Sequence, residues 1–206
     1  MMNKTHIAIG VASALVATQP QNTGTFLSAI LGGTAGASIS DIDVPSNSHT
    51  LSHTLNSIVD KIITAFIIGA VLIFDGITNS GILHSILDSN RPFNVISGII
   101  LFAVIYLFGK TQPHRSFTHS LLGLLLSSIA IYGICPMILP SFIIGFISHL
   151  MLDVLNKKPI QFFYPFKKGF CLKLCYADGL INRIFLWIGT AISAIYIAKY
   201  IIHMIL

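Results

Sequence analysis

The stretch MILPSFIIGFISHLMLDVL, residues 137–155, decides how this chain folds. It approaches the roughly 20 apolar residues that an α-helix needs to cross the hydrocarbon of a bilayer. Its only ionisable side chains are His149 and Asp153. Runs of similar character lie at 58–79, 93–109, 117–133 and 184–206, so about five membrane spans are predicted. Composition agrees: of 206 residues, 54% are hydrophobic and 9% charged, with a mean hydropathy of +0.82, whereas about a quarter of a soluble domain is charged. Two shorter stretches, 7–17 and 25–39, are rich in Gly, Ala and Ser. That suits closely packed or re-entrant helices, and the two are predicted to pair as a short hairpin. The expected fold is an all-α polytopic bundle, one domain over 1–206, with a basic loop at 156–183 as its largest segment outside the membrane.

Lys4, the apolar residues after it and the small residues at 14–17 have the outline of a cleavable leader. The match is weak, and the segment is read as the first helix. If the hairpin returns and the other segments cross singly, the residues before 7 and the segments 40–57, 110–116 and 156–183 share one side. Lys4, Lys110, Arg115 and the lysines of the last loop lie there, while Arg91 and Lys199 lie toward the other. The positive-inside rule makes the first side cytoplasmic, with the N-terminus inside and the C-terminus outside. The net charge of +5 is spread sparsely along the flanks of apolar segments, where orientation in the bilayer explains it better than nucleic-acid binding does. Cys135, Cys171 and Cys175 fit neither a disulfide framework nor a CxxC knuckle.

The sequence contains no glutamate, so carboxylate chemistry must come from seven aspartates. The topology gathers His6, Asp41, Asp43, His114, His119, His149 and Asp153 at one membrane face. His149 and Asp153 are four residues apart, so on a helix they share a face and can point at one centre. Burying an imidazole and a carboxylate among Leu, Met and Val is costly without partners; those partners are either a ligand or simply each other, as a pair joining two helices. In DIDVP, residues 41–45, an extended loop ended by Pro45 is expected. There Asp41 and Asp43 bind metal, orient a histidine, or cap a helix beginning near Ser46.

HRSFTHS, residues 114–120, stands at the mouth of the 117–133 run. Pro113 leaves His114 before the helix, free to swing toward His119. A helix starting near Ser116 or Phe117, capped by Ser116 or Thr118, would present unsatisfied amides beside Arg115 as a corner for an anion. Histidine with aspartate suits zinc, manganese or iron, and the absence of cysteine from the cluster argues against a structural thiolate site. No G-x-S-x-G elbow, Ser–His–Asp order or Walker loop is present. His49 and His53 have helical spacing, but a polar helix start explains them nearly as well; Asp75, His84, Asp88 and Arg91 read as solvated interface residues, and Lys199 and His203 as snorkelling ones.

With these residues in view, the chain resembles the YdjM-type family of bacterial inner-membrane proteins, described as metal-dependent hydrolases. The resemblance runs from His6 to about Phe166. It rests on THIAIG, SDIDVPSN, HRSFTHSLL and SHLMLDVLN in that order, followed by FFYPF. It implies a multi-pass protein of the bacterial inner membrane whose site comprises His6, Asp41, Asp43, His114, Arg115, His119, His149 and Asp153. The sequence departs from the family pattern at Val44, where a further His is common, at Ser116 in place of Gly, and at Asn156 in place of Thr. His49 or His53 is the available substitute for the missing His.

The expectation is then a hydrolase whose divalent metal, zinc or manganese, is held by a subset of His114, His119, His149, Asp153 and Asp43. Arg115 would bind the substrate's anionic group, while Asp41 and His6 would be further ligands or orient the others. A site at interface level favours an amphiphilic substrate such as a phosphoester of a lipid. Two other classes compete. One is a membrane adaptor that uses the loop at 156–183 to bind a cytoplasmic regulatory protein or anionic lipid, the former in keeping with the family's association with a transcriptional repressor. The other is a metal-ion transporter, which would want its polar groups spread through the bilayer rather than gathered at one end.

Overall fold

The structure is a computed structural model that describes residues 2–43, 51–88, 90–176 and 179–205, with the side chains at 42–43, 51–57 and 205 outside the description. Among the described residues eight α-helices follow one another: α1 (Asn3–Thr18), α2 (Thr23–Ile39), α3 (Leu51–Thr78), α4 (Ile82–Leu87), α5 (Pro92–Thr111), α6 (Leu121–Ile134), α7 (Leu139–Val154) and α8 (Leu180–Ile205). Short 3-10 turns at Ser40–Asp43, Phe117–His119 and Pro136–Ile138 lead out of α2, into α6 and into α7. Regular structure among the described residues is otherwise limited to two isolated bridges in the loop after α7.

The expected hairpin is present. α1 ends where Gln19 takes a left-handed conformation ahead of Pro20. α2 opens on a capping box in which Asn22 Oδ1 accepts from Thr25 N at 2.9 Å and Thr25 Oγ1 accepts from Asn22 N at 3.2 Å, satisfying two amides that a helix start leaves bare. Glycine then decides how close the helices come. A Cβ on Gly33 would lie 2.9 Å from Gly10 O, and one on Gly145 would lie 2.5 Å from Gly33 O. α1, α2 and α7 therefore meet backbone to backbone, the small-residue packing that membrane helices favour. Leu15, Phe142, Phe146 and Leu150 close the core around them. α8 covers α1 where Gly189 faces Ala8, and Tyr200 of α8 stacks on Phe26 while donating to Thr23 Oγ1 at 2.6 Å.

Among the described residues, three segments are long and apolar enough to cross a membrane: Pro92–Thr111, Pro136–Val154 and Leu180–Met204. They correspond to three of the five runs read from the sequence. The run at 117–133 is interrupted at its start, because Phe117–His119 forms a 3-10 turn and Ser120 Oγ accepts from Gly123 N at 3.0 Å, so that α6 has 14 residues, or about 21 Å of rise. The remaining run belongs to α3.

Three local expectations are corrected. The cap of α6 is Ser120 rather than Ser116 or Thr118; Ser116 Oγ donates to Pro113 O at 2.5 Å instead. Ser40–Asp43 is a 3-10 continuation of α2 and not an extended loop. Asp75 is no solvated interface residue. It is 1% exposed and accepts from Ser80 Oγ, Ile82 N and Leu83 N at 2.7, 3.0 and 2.8 Å, which places its carboxylate at the start of α4, where bare amides attract it.

Candidate metal centre

α7 carries the heart of the site. His149 and Asp153 lie on one face of it, and both are buried. His149 Nδ1 is 2.7 Å from Ala37 O in the last turn of α2. A carbonyl can only accept, so Nδ1 holds a proton, and whenever the ring is neutral its Nε2 lone pair is turned inward. Metal-ligating histidines are commonly fixed by such a backbone partner.

The 3-10 turn before α6 supplies His119, which is 0% exposed. Its Nδ1 lies 3.0 Å from Thr118 Oγ1. Its Nε2 lies 3.3 Å from His149 Nε2 and 3.2 Å from Asp153 Oδ2, while His149 Nε2 and Asp153 Oδ2 are 3.8 Å apart. Zinc–nitrogen bonds of about 2.0–2.1 Å at tetrahedral angles put neighbouring ligand atoms about 3.3–3.4 Å apart. The triangle of His119, His149 and Asp153 is close to one face of such a polyhedron.

A second group shares His149. Asp41 Oδ1, delivered by the turn after α2, stands 3.8 Å from His149 Nε2 and 3.7 Å from His119 Nε2. His6, in the first turns of α1, stacks on His149 with ring centroids 3.8 Å apart and reaches Asp153 Oδ1 with Nε2 at 3.5 Å. His6, Asp41 and His149 thus form a second set of donors able to hold one ion. Burial pushes the Asp41 carboxyl upward, but the neighbouring His149, and then His119 and His6, more than reverse this and leave it below the ordinary carboxylate range. His6 Nδ1 is buried with no hydrogen-bond partner among the described residues. A polar atom left so costs about 1–3 kcal/mol, a cost that a bound ligand or water would remove.

Arg115 is placed differently from the expected anion corner. Its guanidinium donates through NH2 to Asp153 Oδ1 at 3.3 Å and through NH1 to Lys158 O at 2.7 Å, so these two contacts are internal. Asp153 Oδ1 is thereby held between Arg115 and His6, while Oδ2 faces His119 and His149. Arg115 also sits at φ 69°, uncommon for a side chain of its size and typical of residues fixed at functional sites. His114 is exposed and meets His119 edge-on with centroids 5.2 Å apart; it belongs to neither donor group. The side chains of Asp43 and His53, and His49 altogether, lie outside the described residues.

The sequence reading missed three contributors: Thr118 as the partner of His119, and the carbonyls of Ala37 and Lys158. Thr118, adjoining a buried histidine, was open to detection. A main-chain carbonyl carries no residue signature. Two carboxylates against one guanidinium leave the cluster short of positive charge, and three imidazoles add lone pairs, so the donor set suits a divalent cation of borderline softness.

The chain matches the family described as YdjM inner membrane protein over residues 1–206, its whole length, and belongs to it. No curated protein and no solved structure matches it.

Proposed function

We propose that this member of the YdjM inner membrane protein family is a membrane-embedded, metal-dependent hydrolase acting on a phosphoester of a lipid or a similar amphiphile. One observation carries the reading: four helical segments deliver His6, Asp41, His119, His149 and Asp153 into a buried cluster whose donor atoms are 3.2–3.8 Å apart. Zinc or manganese fits these donors best. When bound, the ion would lower the pKa of a water and polarise a phosphoryl oxygen.

The remaining roles belong to the chain. His119, His149 and Asp153 hold the ion, with Asp41 and His6 completing the set or orienting it. Ala37 O fixes the tautomer of His149, and Thr118 steadies His119. Arg115 keeps Asp153 turned toward the imidazoles. Five spans, the N-terminus inside and the cluster at the cytoplasmic face complete the proposal, supported by the placement of the basic residues.

Metal analysis of the detergent-purified protein tests the site. Near-stoichiometric zinc or manganese is expected in the wild type and none in His119→Ala or Asp153→Asn; metal retained in both variants excludes the ligand set. Hydrolysis of phospholipids and of a generic phosphodiester, assayed with metal-loaded protein, then tests the reaction. Loaded protein inert toward all of them overturns the hydrolase reading.

A further inference from the structure

The segment between α7 and α8 supplies none of the metal donors, yet it is folded and has an unusual surface. From Asn156 to Tyr176 it holds five lysines and no acidic residue. Its backbone is pinned: Ile160 and Phe170 exchange hydrogen bonds of 3.0 and 2.9 Å, and Leu172 N and Leu174 N donate to Val154 O and Leu155 O at 2.7 and 3.0 Å. Buried Ile160 and Cys175 anchor it from beneath. Even so, Phe163, Phe166, Phe170, Leu174 and Tyr176 are 64, 73, 56, 64 and 67% exposed, and Lys167, Lys168 and Lys173 are exposed beside them.

A water-facing loop gains nothing from holding so many large apolar side chains outward on a rigid frame. Aromatic rings interleaved with lysines suit the boundary between hydrocarbon and headgroups, where rings enter the interface and ammonium groups reach outward. The loop is also confined to that boundary. It leaves one candidate span at Val154 and enters the next at Leu180.

We infer that residues 157–176 form a platform that binds the anionic lipid headgroups of the leaflet in which α7 and α8 end. This inference does not rest on the hydrolase reading. The platform is joined to the metal centre: Gln161 N donates to Arg115 O at 2.9 Å, Arg115 NH1 donates to Lys158 O at 2.7 Å, and Leu121 N donates to Phe162 O at 3.0 Å. Seating the loop on the headgroups therefore holds the mouth of the cluster at headgroup depth.

The test uses the full chain in nanodiscs that mix phosphatidylcholine with phosphatidylglycerol. Trp187 is the only tryptophan, so Trp187→Phe with Phe166→Trp gives a single fluorophore on the loop. Bromine carried on phosphatidylglycerol is expected to quench it more strongly than bromine carried on phosphatidylcholine at the same mole fraction. In Lys167→Gln/Lys168→Gln/Lys173→Gln that preference should fall by about fivefold or more, the effect of roughly one basic side chain at an anionic surface. Equal quenching by the two lipids overturns the inference. So does water-like emission quenched by neither, which would leave the loop for a soluble acidic partner. Native mass spectrometry of the unsubstituted protein gives a second readout: preferential retention of phosphatidylglycerol is expected, and indifference to headgroup counts against the platform. Metal content is expected to be the same in all variants, which keeps this result separate from that for the metal centre.

Discussion

The Nε2 atoms of His119 and His149 stand 3.3 Å apart across 30 residues of sequence. Two imidazole nitrogens that close, both buried and with a carboxylate oxygen at 3.2 Å from one of them, need either a shared proton or a cation between them. Removing any support of this pair should therefore have a measurable effect.

Thr118 Oγ1 is a hydrogen-bonding neighbour of His119 Nδ1. Thr118→Val keeps the shape and removes the hydroxyl. Metal affinity should fall by about 10–100-fold, the usual consequence of losing a group that orients a ligand. Competition with a chromogenic chelator measures it, and affinity within twofold of wild type refutes the role.

Arg115 neutralises the buried Asp153 and ties the following loop at Lys158 O. Arg115→Ala leaves that carboxylate without its guanidinium, a loss of roughly 3–5 kcal/mol for a buried pair. Thermal unfolding of the metal-free protein in detergent should show it as a marked fall in Tm. Arg115→Lys should recover only part of the fall, because an ammonium cannot span both acceptors as a planar fork does.

Gly145 and Gly69 should behave oppositely. A methyl group at 145 would meet Gly33 O, its Cα and its carbonyl carbon, all main-chain atoms that cannot swing aside, whereas one at 69 would meet nothing within 4 Å. Gly145→Ala should cost about 1–3 kcal/mol or more and lower metal retention, because Gly145 and His149 lie on the same helix. Gly69→Ala should be neutral or stabilising by up to about 1 kcal/mol. Melting curves of the two variants side by side decide the matter.

Acid acts through two groups with definite sign. The Asp41 carboxyl lies below its ordinary range in the folded chain. Its contribution is therefore complete above the unfolded value of about 3.9 and is lost as pH falls from there toward the lower folded value. In Asp41→Asn the decline of Tm below about pH 4 should be shallower than in wild type. Bound metal should also leave as the solution is acidified, because imidazoles must be neutral to ligate. Equilibrium dialysis at falling pH tests the second point.

How much of the fold and the site was legible in the sequence depended on where each signal was written. The spacing of His149 and Asp153 within an apolar run placed both on one helix face. Ionisable residues are so rare in this chain that His6, Asp41 and His119 stood out as candidate partners by their chemistry alone. The failures have physical causes. Hydropathy counted Phe117 as part of a span, but the hydroxyls and histidine after it favour local hydrogen bonds, so α6 starts later, at Leu121 with Ser120 as its cap. Asp75 read as a solvated charge because the amides it accepts from lie in the next helix, beyond a turn. The contacts of Arg115 with Asp153 Oδ1 and Lys158 O were not foreseen because those partners lie 38 and 43 residues away.

His149 donates a hydrogen bond from Nδ1 to a peptide oxygen, Ala37 O, and such an oxygen is present whatever amino acid occupies position 37. The proton at His149 Nδ1 is therefore held by the approach of α2 to α7 and not by the side chain at position 37. Exchanging residue 37 for another small one leaves the imidazole as it is. Wedging α2 away from α7 would switch its tautomer with every ligand still in the gene.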